Sequence, residues 1–177
     1  SAEVTQGLQA LARRHGLTLN TALQGAWAIL LSRYAGEEDI LFGATVSGRP
    51  PDLPGAEEMI GLFINTLPVR VPVTPEASLI PWLRDLQARQ AELRQYEHTP
   101  LTEIQGWTQV PRSLPLFESI LVFENYPTTE GLDEQGDAIK VRLADVKSYS
   151  RTNYPLTVVV SPGSQLGLTA AYDGSRF

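Results

Sequence analysis

Cysteine is missing from all 177 residues. Its absence removes disulfides, thiol nucleophiles, thiolate zinc sites and cysteine-held iron–sulfur clusters together, and it fits a reducing compartment. Histidine is nearly missing too, with only His15 and His98 present, far apart in the chain. Neither lies in an HExxH, and both sit near the ends of expected helices, where a histidine interacts well with the helix dipole. There is no GxSxG, no Walker loop and no GxGxxG. No catalytic residue and no metal ligand is therefore assigned. A basic excess is lacking as well: Lys+Arg is 14 against Asp+Glu 20, a net charge of −6. That argues against nucleic acid or an anionic membrane as a partner, since both need a basic face. No apolar run approaches the roughly 20 residues that cross a bilayer. Ser1-Ala2-Glu3-Val4 lacks the charged start and apolar core of a signal peptide. With no initiator Met and an abrupt Asp173-Gly174-Ser175-Arg176-Phe177, the expectation is a piece of a longer chain.

What is present is a globular balance, 42% hydrophobic and 19% charged. Val4, Leu8 and Leu11 predict a helix that stops at Gly16. Thr18 is a good cap for a second helix, with Leu19, Leu23, Trp27, Leu30 and Tyr34 as its apolar stripe and Gly36 as its end. The run 40–46 predicts a strand covered on both faces. A Gly/Pro-rich loop follows, then a strand over 64–73 whose Pro68 argues for an edge or a bulge. Ser78 should cap a long helix bearing Leu79, Trp82, Leu83, Leu86, Leu93 and Tyr96, broken by Pro100. Residues 101–117 read as irregular with one short helix, and 119–124 as a strand. Then come an acidic loop over 126–138 and strands near 139–149, 156–161 and 166–172, the last two joined by a turn at 161–164. Glu37-Glu38 and Glu57-Glu58 read as solvated turn and cap residues rather than an acid/base pair. Trp27 and Trp82 read as core, and Trp107 as a loop anchor or a cavity wall. The fold class is α/β: a mixed sheet of five or six strands covered by two or three helices.

Several stretches together resemble the condensation domain of nonribosomal peptide synthetases, in its C-terminal, acceptor-side half. Leu17-Thr18-Leu19-Asn20-Thr21 with Gln24-Gly25-Ala26-Trp27 is similar to the helix opening that lobe. Residues 40–49, ending Ser47-Gly48-Arg49, resemble the next strand and loop. Met59 to Arg70 follows the family's IGxFxNTxxxR motif. Tyr96-Glu97-His98-Thr99-Pro100-Leu101 resembles its H-x-x-P-F-E motif, continued by Pro115-Leu116-Phe117 and Val122-Phe123-Glu124-Asn125. Ser150-Arg151-Thr152-Asn153-Tyr154-Pro155-Leu156 resembles S-R-N-P-L with one residue inserted. The active-site motif HHxxxDG, which in the family lies in the other lobe, is absent. The helix that follows a Tyr-Asp in the family has no counterpart after Tyr172-Asp173, and Gln105-Gly106-Trp107 replaces the commoner continuation.

The resemblance implies a chloramphenicol-acetyltransferase-like lobe over residues 1–177, one half of a two-lobed, V-shaped domain. It implies part of a peptide-bond-forming, cytoplasmic machine of antibiotic or secondary metabolism. The expected partners are the N-terminal lobe, donor and acceptor carrier-protein domains, and a neighbouring adenylation domain. No cofactor is expected to bind directly; phosphopantetheine arrives on the carriers. Asn65 lines the tunnel or is a buried amide bonding the backbone. Arg151 and Asn153 face the cleft or stabilise their loop. Residues 47–61, with Arg49, Pro50, Pro54 and Gly55, resemble the floor loop, and the 161–165 hairpin is a candidate latch across the cleft; either can also be an ordinary surface loop. Rival readings are a non-catalytic carrier-docking or scaffold lobe, and a lobe of an epimerisation or CoA-dependent acyltransferase domain.

Overall fold

The computed structural model describes residues 1–49, 53–56, 58–124 and 152–177. Local signals set the first helices. α1 (Ala2–His15) and α2 (Leu19–Ala35) end on Gly16 and Gly36, both in the left-handed region with φ of 66° and 71°. Glycine enters that region without the Cβ penalty. The Thr18 hydroxyl accepts the Thr21 N–H at 3.0 Å and caps α2.

β1 (Asp39–Val46) and β2 (Asn65–Pro72) follow, then α3 (Leu79–Leu93), a single 3₁₀ turn (Arg94–Tyr96) and α4 (Leu101–Gly106). β3 (Ser119–Phe123), β4 (Leu156–Ser161) and β5 (Gly167–Tyr172) complete the described elements. The sheet order is β2-β1-β3-β4-β5. β1, β3 and β4 run parallel, and among the described strands β2 and β5 stand antiparallel at the two edges. Pro68 therefore lies in an edge strand, where its missing N–H costs no ladder bond in the interior. The expected acidic loop at 126–138 and strand near 139–149 fall outside the described residues.

The core lies between the helices and one face of β2, β1 and β3. Ile40, Phe42 and Ala44 alternate with Gly43, so they meet Val69, Val71, Leu83 and Leu86 on one side. On the other face Phe117 lies against Gly43 so closely that no side chain fits there. β1 is thus covered on both faces, as its unbroken apolar run implied.

Two expectations change. The large stripes of α1 and α2 do not all turn inward: Val4 is 61% exposed and Tyr34 85%. The buried positions are Thr5 and Ala12 in α1, and Thr21, Gln24, Gly25 and Ala28 in α2. Gly25 explains the rotation of α2. A Cβ there would stand 2.5 Å from Leu83 Cδ2, so α2 meets α3 through its small residues and turns its large ones partly outward. The long helix also ends early, at Leu93 rather than at Pro100. Beyond Leu93 the backbone bonds tighten from i−4 to i−3, with the Glu97 N–H on the Arg94 carbonyl and the Thr99 N–H on that of Tyr96.

At the β2 edge Arg70 grips Asp39 with two nitrogens, at 2.6 to 3.1 Å. That hydrogen bonding holds the Asp39 carboxyl below, and the Arg70 guanidinium above, their ordinary values. The pair's contribution is present above the ordinary carboxylate range and fades as pH falls through the lowered Asp39 value. Both groups stand in water, so the contribution is small.

Candidate functional site

The parallel strands β1 and β3 end together, and a groove of about 520 Å³ opens there. Its floor is apolar, from Ala44, Val46 and Leu67, and its rim is polar, from Asn20, Gln24 and Glu97. Such a position, outside the carboxyl ends of parallel strands, is where α/β sheets receive ligands. A chain of side-chain bonds fixes the rim. Thr21 Oγ1 donates to Gln90 Oε1 at 2.9 Å. Gln90 Nε2 donates to Gln24 Oε1 at 2.7 Å, and Gln24 Nε2 to Asn20 Oδ1 at 3.2 Å. Thr21 and Gln24 are buried, so these partners spare them the cost of unmet polar atoms.

Below the rim, three distant segments meet. Asn65 opens β2, opposite Val46. Its Nδ2 donates to the carbonyls of Glu97 and Thr99, both at 2.8 Å, and its Oδ1 accepts the Thr66 N–H at 2.9 Å. Glu97 Oε2 in turn accepts the N–H of Gly48 at 3.2 Å. Gly48 has φ of 63°, and a Cβ there would run into the carbonyl of Phe63. Only glycine lets the two stems of the 47–64 connection come this close.

A second groove, of about 710 Å³, lies at the opposite end of β3 and β4. Phe117, Asn153, Tyr154, Tyr172 and Arg176 line it. Phe117 and Tyr154 stack with centroids 5.3 Å apart. Burial pushes the Tyr154 phenol above its ordinary value.

The sequence-derived residues therefore separate. Asn65 is bonded to Glu97 and Thr99 and Arg49 to Ala56 and Met59 within the 47–64 connection, whereas Asn153 is exposed at the far end of the sheet. Pro54 and Gly55 lie in an exposed turn of the connection. Pro50 and Arg151 lie outside the described residues. His15 ends α1 as expected, while His98 sits in the turn before α4 rather than at a helix end. Sequence reasoning misses Glu97 and Gly48 as site residues. Both stand in the family-like motifs, but no local period joins positions that far apart.

Among solved structures, the first condensation domain of the CDA synthetase shares this fold, with a TM-score of 0.70 at 17% identity over 98% of this chain and 39% of that one. A four-domain nonribosomal peptide synthetase bound to AMP and glycine does so with a TM-score of 0.76 at 16% identity, over 97% of this chain and 14% of that one. The fold is that of a condensation-domain lobe. The sequence profile of the condensation domain matches residues 1–177, and the chain belongs to that family. It is 55% identical to one of the linear gramicidin synthase proteins of Brevibacillus parabrevis, over 100% of this chain and 4% of that protein. It is 47% identical to the chondramide synthase of Chondromyces crocatus, over 99% and 4%. The chain thus spans a few hundredths of the length of these curated relatives.

Proposed function

We propose that this chain is the acceptor-side lobe of a peptide-bond-forming condensation domain in a nonribosomal peptide synthetase, with the N-terminal lobe outside residues 1–177. The meeting of Gly48 and Asn65 at Glu97, which lines the groove, carries the reading, because each of the three belongs to a different motif of the family. Donor and acceptor substrates arrive as thioesters on the phosphopantetheine arms of two carrier domains, and an adenylation domain neighbours the lobe in a cytoplasmic assembly. The acceptor amine attacks the donor thioester carbon. A C–N bond forms, the C–S bond breaks, the donor arm leaves as a thiol, and the amine gives up a proton. Holding both tethered reactants in one passage makes the encounter effectively intramolecular. This lobe supplies a wall of that passage. An apolar floor with an amide rim suits an arm built of methylenes and amides. The proton-handling histidine comes from the other lobe, because no His-His pair exists in these residues.

The test is rescue in trans. The purified chain alone is expected to give no amide product between two loaded carriers. Adding a matched N-terminal lobe that carries HHxxxDG should restore product, with a rate that rises with lobe concentration because the chain no longer enforces association. Lobes that bind tightly yet stay inactive at every ratio would replace this reading with the scaffold one.

A further inference from the structure

The connection between β1 and β2 carries a side-chain clamp that the groove does not itself contain. The Arg49 guanidinium lies 4.3 Å from the centroid of the Phe63 ring. Its Nη1 donates to the carbonyl of Ala56, and to that of Met59 at 3.1 Å. One half-buried cation thus holds three points of the connection: a buried turn residue, the start of the IGxF stretch, and the ring beside its exit. Ala56 is 5% exposed, whereas Ile60 and Leu62 beyond it stand fully in solvent. Burial of Ile60 and Leu62 therefore does not hold this stretch in place, and the bond from Arg49 ties it down at Met59. The clamp also reaches the groove. Arg49 follows Gly48, whose N–H is bonded to Glu97, and Phe63 is the residue whose carbonyl packs on Gly48.

We infer that Arg49 is a positioning residue: it closes the connection on itself, keeps Gly48 and Phe63 together, and through Gly48 sets where Glu97 stands in the groove wall. This rests on the condensation reading for its catalytic consequence, but the clamp is a matter of geometry alone. Arginine is required for its shape. Its planar group sets Cζ over the ring while Nη1 reaches the two carbonyls, whereas a lysine has a single nitrogen to place at both sites.

The test uses a complete condensation domain in which this chain is the C-terminal lobe, comparing Arg49→Lys, Arg49→Met and Phe63→Leu with the unaltered protein. Three quantities are read: the melting temperature, hydrogen exchange of peptides within 53–64, and kcat and KM for the acceptor thioester. The expected result is nearly unchanged melting for all three variants. Exchange in 53–64 should rise by about tenfold. kcat should fall by about tenfold or more with acceptor KM little changed, because a misplaced wall costs orientation rather than binding. Arg49→Lys should fall with Arg49→Met, since charge alone does not rebuild the clamp. Unchanged exchange in both Arg49 variants overturns the clamp. Raised exchange with an unchanged kcat overturns the positioning role. If the unaltered domain forms no amide at all, the condensation reading fails instead, and the exchange result decides the clamp by itself.

Discussion

Replacing Asn65 by alanine is expected to lower stability by about 2–4 kcal/mol, a fall of roughly 5–15 °C in melting temperature for a chain of this size. The side chain makes three bonds to the backbone, two as donor to Glu97 and Thr99 and one as acceptor from Thr66. Removing it leaves two carbonyls and one N–H without that partner in a half-buried place, and each orphan costs about 1–3 kcal/mol. Asn65→Asp sharpens the test. It keeps an acceptor for Thr66 but loses both donated bonds and brings a negative charge to two carbonyl oxygens, so it should be at least as damaging. Thermal and urea unfolding of the chain would measure both. In a complete condensation domain, activity should fall together with stability, as expected of a residue committed to the backbone. A melting temperature that hardly moves while activity collapses would instead assign Asn65 directly to the substrate passage.

Gly48→Ala should cost about 3 kcal/mol or more, whereas Gly16→Ala and Gly36→Ala should each cost about 1 kcal/mol. All three glycines have φ between 63° and 71°. They therefore share the same left-handed penalty for a residue with a Cβ. They differ in what surrounds them. Nothing stands within 4 Å of a Cβ built on Gly16 or Gly36, but one on Gly48 collides with the Phe63 carbonyl. A backbone oxygen cannot step aside as a flexible side chain does. The stems must part, and the Gly48–Glu97 bond and the Arg49–Phe63 stack go with them. Three unfolding curves decide the matter: equal losses at all three positions would mean that the connection yields freely at its root.

Asn65 and Glu97 also show how much of the site is legible in sequence. Asn65 is visible in its motif with two possible roles, and only the folded chain places its amide 2.8 Å from the Glu97 and Thr99 carbonyls. Glu97 is invisible as a site residue. Its value comes from accepting an N–H of Gly48, which reaches it only after β1, β2 and α3 have folded. Asn65 and Asn153 look in sequence like two parts of one cleft, yet they stand at opposite ends of the sheet. That outcome is set by strand direction and register, which no motif records.

By itself the sequence determined what depends on a few neighbouring residues. Gly16, Thr18 and Gly36 bounded the first two helices because capping is chemistry within one turn. The apolar run at 40–46 specified a doubly covered strand, and Pro68 an edge, because each is a statement about one strand's own faces and donors. The ordered motifs specified the family. The tertiary structure alone decided which face of α2 is buried, where α3 stops and which residues form the groove. Gly25 turns α2 only because Trp82 and Leu83 press on it, and the Asn65 amide meets the Glu97 and Thr99 carbonyls only once β2 lies beside them. These outcomes depend on contacts between residues tens of positions apart, and neither helical nor strand periodicity carries that distance.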